Sequence, residues 1–369
     1  MIWLVGLVIV VVVGIGGMIY LARAISRFGL IRKAAGEKNW LSRLIALGLL
    51  LVGFALFACL MSVLDATVIL LHVLFFFLVF GLIFWIVRKL TGKQTKIYWQ
   101  GWLALLTAAV YLAVGYYQCV HVWKTEYSLS SDKSVEPLRI ALLADSHIGT
   151  TFDGKGFEAY LDEIMLEKPD LILIPGDFVD DGTTRADLLT ACRALGQPDT
   201  KYGVWFAYGN HDRGYFNSRD FSAEDLVHAL EENHVHILED EVAPIGDLCI
   251  VGRRDASFGQ RAELAALLED VDPEKYIIVL DHEPTDYENE AATNADLVVS
   301  GHTHGGQLIP LGTVGKLFAG NERTYGYERR NRTDFIVTSG ISDWAVHFKT
   351  GTRSEYVIIT LNASEEYNK

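Results

Sequence analysis

The chain has 369 residues, half of them hydrophobic, with a mean hydropathy of +0.22 and a formal net charge of −14. That is too apolar for an ordinary soluble protein of this size, and too acidic to carry the basic footprint that a nucleic-acid partner requires. Both properties are unevenly divided. Residues 1–124 carry 11 basic and 2 acidic side chains, a net of +9, whereas the remainder carries 21 basic and 44 acidic, a net of −23.

The apolar excess lies in the first third. Met1 to Tyr20 is almost uncharged, and its Arg residues, Arg23 and Arg27, follow it rather than precede it, so it reads as a retained span and not a cleaved signal. Leu44 to Val87 is apolar apart from Asp65 and His72 and is about twice the ~20 residues that one span needs, which predicts a helical hairpin turning near Asp65. Ile97 to Val122 is a fourth span, with Trp99, Trp102, Tyr116, Tyr117 and Trp123 near its ends as aromatic anchors. Basic residues from Arg23 to Arg43 and from Arg88 to Lys96 mark two cytoplasmic loops, which puts everything after the fourth span on the extracytoplasmic face of a plasma membrane. The lipid bilayer is thus an expected partner. Ser128 to Pro137 is linker-like and divides the chain into a membrane domain (1–124), a linker (125–137) and a second domain (138–369). Cys59 and Cys119 fall in spans. Cys192 and Cys249 lie far apart beyond them, and whether those two pair is open.

From Leu138 onward short apolar strands alternate with helix-length segments. Strands are expected at Leu138–Ala144, Leu171–Pro175, Val204–Tyr208, Leu248–Val251, Tyr276–Leu280, Leu297–Ser300, Asp334–Ser339 and Tyr356–Leu361. Helices are expected at Phe157–Glu167, Arg185–Leu195, Ala223–Glu232 and Arg261–Glu269. The alternation predicts a layered α/β domain, in which ligands collect at the carboxyl ends of strands. Five strands run into polar clusters there: Asp145-Ser146-His147, Gly176-Asp177, Gly209-Asn210-His211-Asp212, Asp281-His282-Glu283-Pro284 and Gly301-His302-Thr303-His304-Gly305-Gly306. One such cluster is ordinarily a helix cap or a turn; five in series are not. Carboxylate, imidazole and amide oxygen suit Mn, Fe or Zn, with no thiolate on offer. Seven candidate ligands exceed one tetrahedral zinc and suit two cations about 3.5–4 Å apart sharing a carboxylate.

The series Asp-x-His, Gly-Asp, Gly-Asn-His-Asp, His and Gly-His-Thr-His resembles the calcineurin-like metallophosphoesterase superfamily, over roughly Leu138 to Leu361. The Gly-His-Thr-His-Gly-Gly-Gln form followed by Pro310 is most similar to its membrane-associated bacterial branch, which includes phosphodiesterases of the UDP-diacylglucosamine type. The resemblance implies a four-layer αββα sandwich. It implies that Asp145, His147 and His304 hold one divalent cation, that Asn210, His282 and His302 hold the other, and that Asp177 bridges them. It implies hydroxide attack from between the cations on a phosphate ester, with His211 as proton donor and Asp212 orienting His211. Mn is the cation expected to support activity in vitro. Two further readings stand beside a membrane-proximal phosphodiesterase or pyrophosphatase: a phosphomonoesterase on small solutes, and a metal-binding outer domain of a sensor or transporter. Arg253 and Arg254 are read as either a phosphate clamp or surface salt bridges. His72 is read as a neutral histidine among helices, and the Ser342–Thr350 loop, with Trp344, His347 and Phe348, as facing the site or as edge packing.

Overall fold

A computed structural model describes residues 2–93, 95–216, 218–310 and 320–363, with side chains from residue 14 onward. The chain divides into two compact units, Met1–Gly115 and Tyr116–Lys369.

The first unit is helical: α1 (Ile2–Ile25), α2 (Gly29–Ala34), α3 (Asn39–Leu60), α4 (Val63–Thr91) and most of α5 (Trp99–Val120). Among the described residues, α3, α4 and α5 are long and apolar enough to cross a membrane, and Gly14–Ile25 of α1 is a shorter apolar helix. The expected hairpin turns at Met61-Ser62. There the Ser62 hydroxyl accepts the Asp65 amide at 2.9 Å and donates to the Asp65 carboxylate at 2.7 Å, so Asp65 closes the N-terminus of α4 and the turn comes just before it. His72 bonds the Val68 carbonyl at 2.8 Å and stacks on Tyr111, in keeping with its structural reading.

The second unit holds two six-stranded sheets. In chain order its elements are β1 (Trp123–Ser131), β2 (Leu138–Leu142), α6 (Gly154–Met165), β3 (Leu171–Pro175), α7 (Arg185–Leu195), β4 (Val204–Ala207), α8 (Ala223–Glu232), β5 (Val235–Leu238), β6 (Glu241–Ile245), β7 (Leu248–Gly252), α9 (Leu264–Leu267), β8 (Tyr276–Leu280), α10 (Tyr287–Glu290), β9 (Leu297–Ser300), β10 (Gly326–Arg330), β11 (Thr333–Val337) and β12 (Glu355–Ala363). One sheet runs β1-β12-β2-β3-β4-β5 and the other β10-β11-β9-β8-β7-β6. The alternation of side chains along each strand sorts the core into layers. Ile140, Leu142, Leu173 and Ile359 of the first sheet meet Ile250, Ile278, Val299 and Ile336 of the second. Ala141, Ile172, Phe206 and Ile358 turn the other way, onto Phe157, Leu161, Leu188, Ala191 and Leu226 of α6, α7 and α8. Val251, Ile277, Val298 and Phe335 turn onto Leu264, Leu268, Tyr287 and Ala291. Helices, sheet, sheet, helices: this is the αββα sandwich. In each sheet the central strands are parallel, β2-β3-β4 and β7-β8-β9, so their carboxyl ends share an edge.

One reading of the sequence is corrected here, and one left open is closed. Residues 125–137 are not a linker over their first half, because β1 pairs in parallel with β12 from Trp123↔Glu355 to Ser131↔Ala363. Its burial alternates because it is an edge strand with one wet face, which is why Lys124, Glu126 and Ser128 look like linker composition. The pairing left open by the sequence does not form: Cys192 on α7 packs against the first sheet, and Cys249 on β7 faces the helices of the second, in different layers of the core. A chain starting at Ser128 loses the first half of β1 and uncovers β12. It is expected to melt about 5–15 °C below a chain starting at Tyr116, given that each kcal/mol moves a domain of this size by about 2–4 °C. Circular dichroism melts of the two fragments check this, and equal midpoints would mean the edge strand contributes nothing.

Candidate metal centre

Each expected ligand sits where a strand has just ended and the backbone turns out of the extended region. Asp145, His147, Asp177, His302 and His304 have φ of 53°, 35°, 54°, 70° and 48°. Left-handed backbone at a residue with a Cβ costs about 1–3 kcal/mol and persists only where surrounding structure imposes it. Here it coils the chain tightly enough for side chains two apart, such as Asp145 and His147, to approach one point. Glycine lets the strand ends converge. A Cβ on Gly176 would stand 2.5 Å from the Gly209 nitrogen, and one on Gly301 would stand 2.6 Å from Asp145 Oδ2.

The side chains form two groups whose ligand atoms lie within 4.8 Å of one another, Asp145-His147-His304 and Asp177-His282-His302. Asn210 joins the second, its Oδ1 being 3.0 Å from both His282 Nε2 and His302 Nδ1. Asp177 stands between the groups: its Oδ2 is 3.5 Å from His147 Nε2 and 3.2 Å from His282 Nε2. Its Oδ1 accepts the His211 amide at 2.9 Å, which fixes the carboxylate plane.

The donor set fits cations. His282 Nδ1 is 2.9 Å from the Pro175 carbonyl, which can only accept, so the proton belongs on Nδ1 and Nε2 turns its lone pair on Asp177 and Asn210. Burial opposes a charge on His282, but the carboxylates of Asp177, Asp145 and Asp255 outweigh it and raise its pKa well above the usual range. A proton, or a cation in its place, is what separates these lone pairs. Asp145 Oδ2 and both nitrogens of His147 are buried without a hydrogen-bond partner, an arrangement costly enough to call for another ligand. The residues present therefore fit two divalent cations.

His211 borders the two groups. Its ring lies 4.9 Å from those of His147 and Tyr215 and 5.3 Å from Trp344, and its buried Nδ1 has no hydrogen-bond partner. Burial lowers its pKa, against the charge of Asp177. Asp212 does not orient it, which corrects the expectation from the sequence. The Asp212 carboxylate is fully buried and accepts four backbone N–H groups: Asp177 at 2.9 Å, Phe178 at 2.8 Å, Val179 at 3.1 Å and Gly209 at 2.7 Å. Burial and the charge of Asp177 push its carboxyl up to about 7, while the N–H donors of Gly209 and Val179 pull the other way. Asp212 staples the loop after β3 to the loop after β4. Arg253 is neither clamp nor surface bridge; it is buried among Asp281, Asp286 and Glu290 at 2.7–3.1 Å. Arg254 pairs with Glu239 at 3.3 Å. His236 stacks on Trp205, away from the site. Sequence reasoning missed Asp180, whose Oδ2 is 3.5 Å from His147 Nδ1, and Asp343, whose Oδ1 is 3.1 Å from His304 Nδ1. Neither has a motif; both are carboxylates in loops near one that does.

The described strands form an αββα sandwich with two groups fit for divalent cations at one edge, a setting suited to metal-assisted phosphoester hydrolysis. Residues 138–306 match the profile of the calcineurin-like phosphoesterases. The chain is 28% identical over 271 residues to the uncharacterized metallophosphoesterase Cj0846 of Campylobacter jejuni, covering 71% of this chain and 70% of that one. It is 31% identical over 244 residues to a Danio rerio transmembrane protein with metallophosphoesterase domain, and 27% over 247 residues to the Bos taurus protein of the same description. Those matches cover 62% and 63% of this chain and 54% of each relative, so the chain spans about half the length of these two proteins.

Asp212→Ala leaves four buried N–H groups unpaired, at about 1–3 kcal/mol each before relaxation. It is expected to destabilise the α/β unit by about 3–5 kcal/mol, read as a fall in melting temperature of about 6–20 °C. An unchanged midpoint with lost activity would restore Asp212 to the catalytic machinery.

Proposed function

We propose that this chain is a membrane-anchored phosphodiesterase or pyrophosphatase acting on an amphiphilic, lipid-linked phosphate ester. The observation that carries the substrate class is an apolar rim around an acidic site. Tyr215 and Trp344 flank His211 and are 55% and 47% exposed; Phe216 beside Tyr215 is 74% exposed, and Ile309 in the loop after His304 is 60% exposed. An exposed apolar patch beside a site marks a binding surface.

In this reading Asp145, His147 and His304 would hold one cation and Asn210, His282 and His302 the other, with Asp177 shared between the two groups. Two divalent cations there would supply Lewis acidity at the phosphoryl group and lower the pKa of the attacking water. The chain does the rest. Asp177 is held in plane by the His211 amide, and His282 is held in one tautomer by Pro175. His211 stands on the open side of the centre, where it gives a proton to the departing alkoxide. Tyr215, whose hydroxyl accepts from Asn210 Nδ2 at 2.6 Å, ties the apolar rim to a ligand. The first 124 residues anchor the enzyme, and the basic loops put its catalytic unit outside the cell.

The test uses the full chain in detergent, stripped with a chelator and reloaded with Mn. Cleavage of bis-p-nitrophenyl phosphate that requires both Mn and Asp177 is the expected outcome. Cleavage of p-nitrophenyl phosphate alone would turn the assignment to a phosphomonoesterase, and no cleavage by the metal-loaded chain would favour a binding domain. His211→Ala is expected to lower kcat about 10²–10⁴-fold on esters with poor leaving groups while metal content by mass spectrometry stays the same. Full activity in that variant would remove His211 as the acid. Protease added to intact cells should release the α/β unit; protection of that unit would reverse the topology.

A further inference from the structure

The two cation groups are not supported alike. Around the first group folds Ser339–Gly351, which lies beyond the residues matched to the family. Asp343 and Lys349 are both fully buried in it. Asp343 Oδ1 is 3.1 Å from His304 Nδ1, obliquely placed, and its Oδ2 is 4.0 Å from Lys349 Nζ and 3.8 Å from Cys119 Sγ. The ammonium of Lys349 donates to the Ser339 carbonyl at 2.6 Å and the Ser342 carbonyl at 3.2 Å, with Ser354 Oγ at 3.4 Å.

That grip sets the loop against every ligand of the first group. Ile341 and Ser342 donate their amides to the carbonyls of Ala144 and Asp145, at 3.0 and 3.3 Å. Ser342 Oγ meets Thr151 Oγ1 at 2.6 Å, and His347 Nε2 is 3.0 Å from the Thr150 carbonyl, which pins the stretch that follows His147. Thr352 Oγ1 donates to the His304 carbonyl at 3.3 Å. In the second group the outer nitrogen of His282 meets only the neutral carbonyl of Pro175. A carboxylate behind an imidazole makes its other nitrogen a stronger ligand and fixes its orientation; a neutral carbonyl does this less.

We infer that Asp343 and Lys349 are a positioning pair for His304 and Asp145, and that they make Asp145-His147-His304 the tighter of the two cation sites. A buried Lys–Asp pair is expensive to desolvate, and its retention here is accounted for by the ligand it backs. The inference rests on the ligand roles proposed above. The test follows Co²⁺ binding to the chelator-stripped full chain in detergent by visible absorption and by mass-spectrometric stoichiometry, alongside thermal melts. The unaltered chain should take two equivalents, one tighter than the other; no binding at all would refute the ligand roles themselves. Asp343→Asn should weaken the tighter equivalent about 10–100-fold and leave the weaker one in place, with Asp343→Glu recovering part of the loss. Two equivalents bound as in the unaltered chain, or both weakened together, would overturn the inference. If the single variant does not fold, Asp343→Asn combined with Lys349→Met removes both buried charges at once and carries the same expectation. Failure of that double variant to fold would also overturn it, in favour of a purely structural ion pair.

Discussion

Lone pairs that face one another and need a proton or a cation between them are the constraint on which this domain is built. Asp177 Oδ2, His282 Nε2 and Asn210 Oδ1 lie within hydrogen-bonding distance, and the proton on His282 Nδ1 points away toward Pro175. Asp145 Oδ2 and both nitrogens of His147 are buried without a hydrogen bond, the carboxylates of Asp177 and Asp180 standing 3.5 Å from the ring. A fold does not hold so many acceptors together for stability, because each would find water on unfolding. The rest of the unit is arranged to pay for this: two interleaved apolar sheets supply the burial, and left-handed backbone at five of the seven proposed ligands supplies the convergence.

The strand ends were legible because parallel central strands announce themselves twice. Leu171–Pro175, Tyr276–Leu280 and Leu297–Ser300 are buried on both faces and therefore read as unbroken apolar runs, observed with the bounds the sequence predicts. Each run stops where its polar cluster starts, so one boundary marks both the fold and the site. The edge strands lack that signature. β1, β5, β6 and β10 each leave part of their length exposed, and none of the four is assigned as a strand from the sequence. The helix expected over Arg261–Glu269 shrinks to Leu264–Leu267, with Leu264 packed into the outer core of the second sheet.

Within the site, residue type was legible and direction was not. Asp212 follows His211 in sequence, and neighbours in a catalytic motif invite pairing. Its side chain points the opposite way, into a nest of backbone amides, because the turn at Gly209-Asn210 puts consecutive side chains on opposite sides of the loop. Asp343 poses the reverse difficulty. It lies nearly forty residues beyond His304, in a loop that brings Trp344 to His211 at the rim and sets a carboxylate, with a lysine behind it, against His304. Neither case has a one-dimensional signal: which way a loop side chain turns is decided by the strand it follows and the loop it packs on.

Charge bears on what such a centre can take. The second part of the chain carries a net of −23, and its proposed substrate is an anion. At physiological ionic strength that repulsion is screened beyond about 8 Å, so it acts mainly at the mouth of the site. Arg213, Arg253, Arg254 and Arg261 are taken up by carboxylates, while Arg219 is held by the Asp212 carbonyl beside the Tyr215 rim. The same rim offers Tyr215, Phe216, Trp344 and Ile309. In the proposed reading a small hydrophilic phosphate would gain nothing from that apolar surface. An amphiphile gains apolar contact at about 25 cal/mol per Å² before its phosphate reaches them. In the proposed reading, a rim that attracts through area and a floor that attracts through charge would select substrates that have both, and tethering to a bilayer would supply the place where such molecules are concentrated.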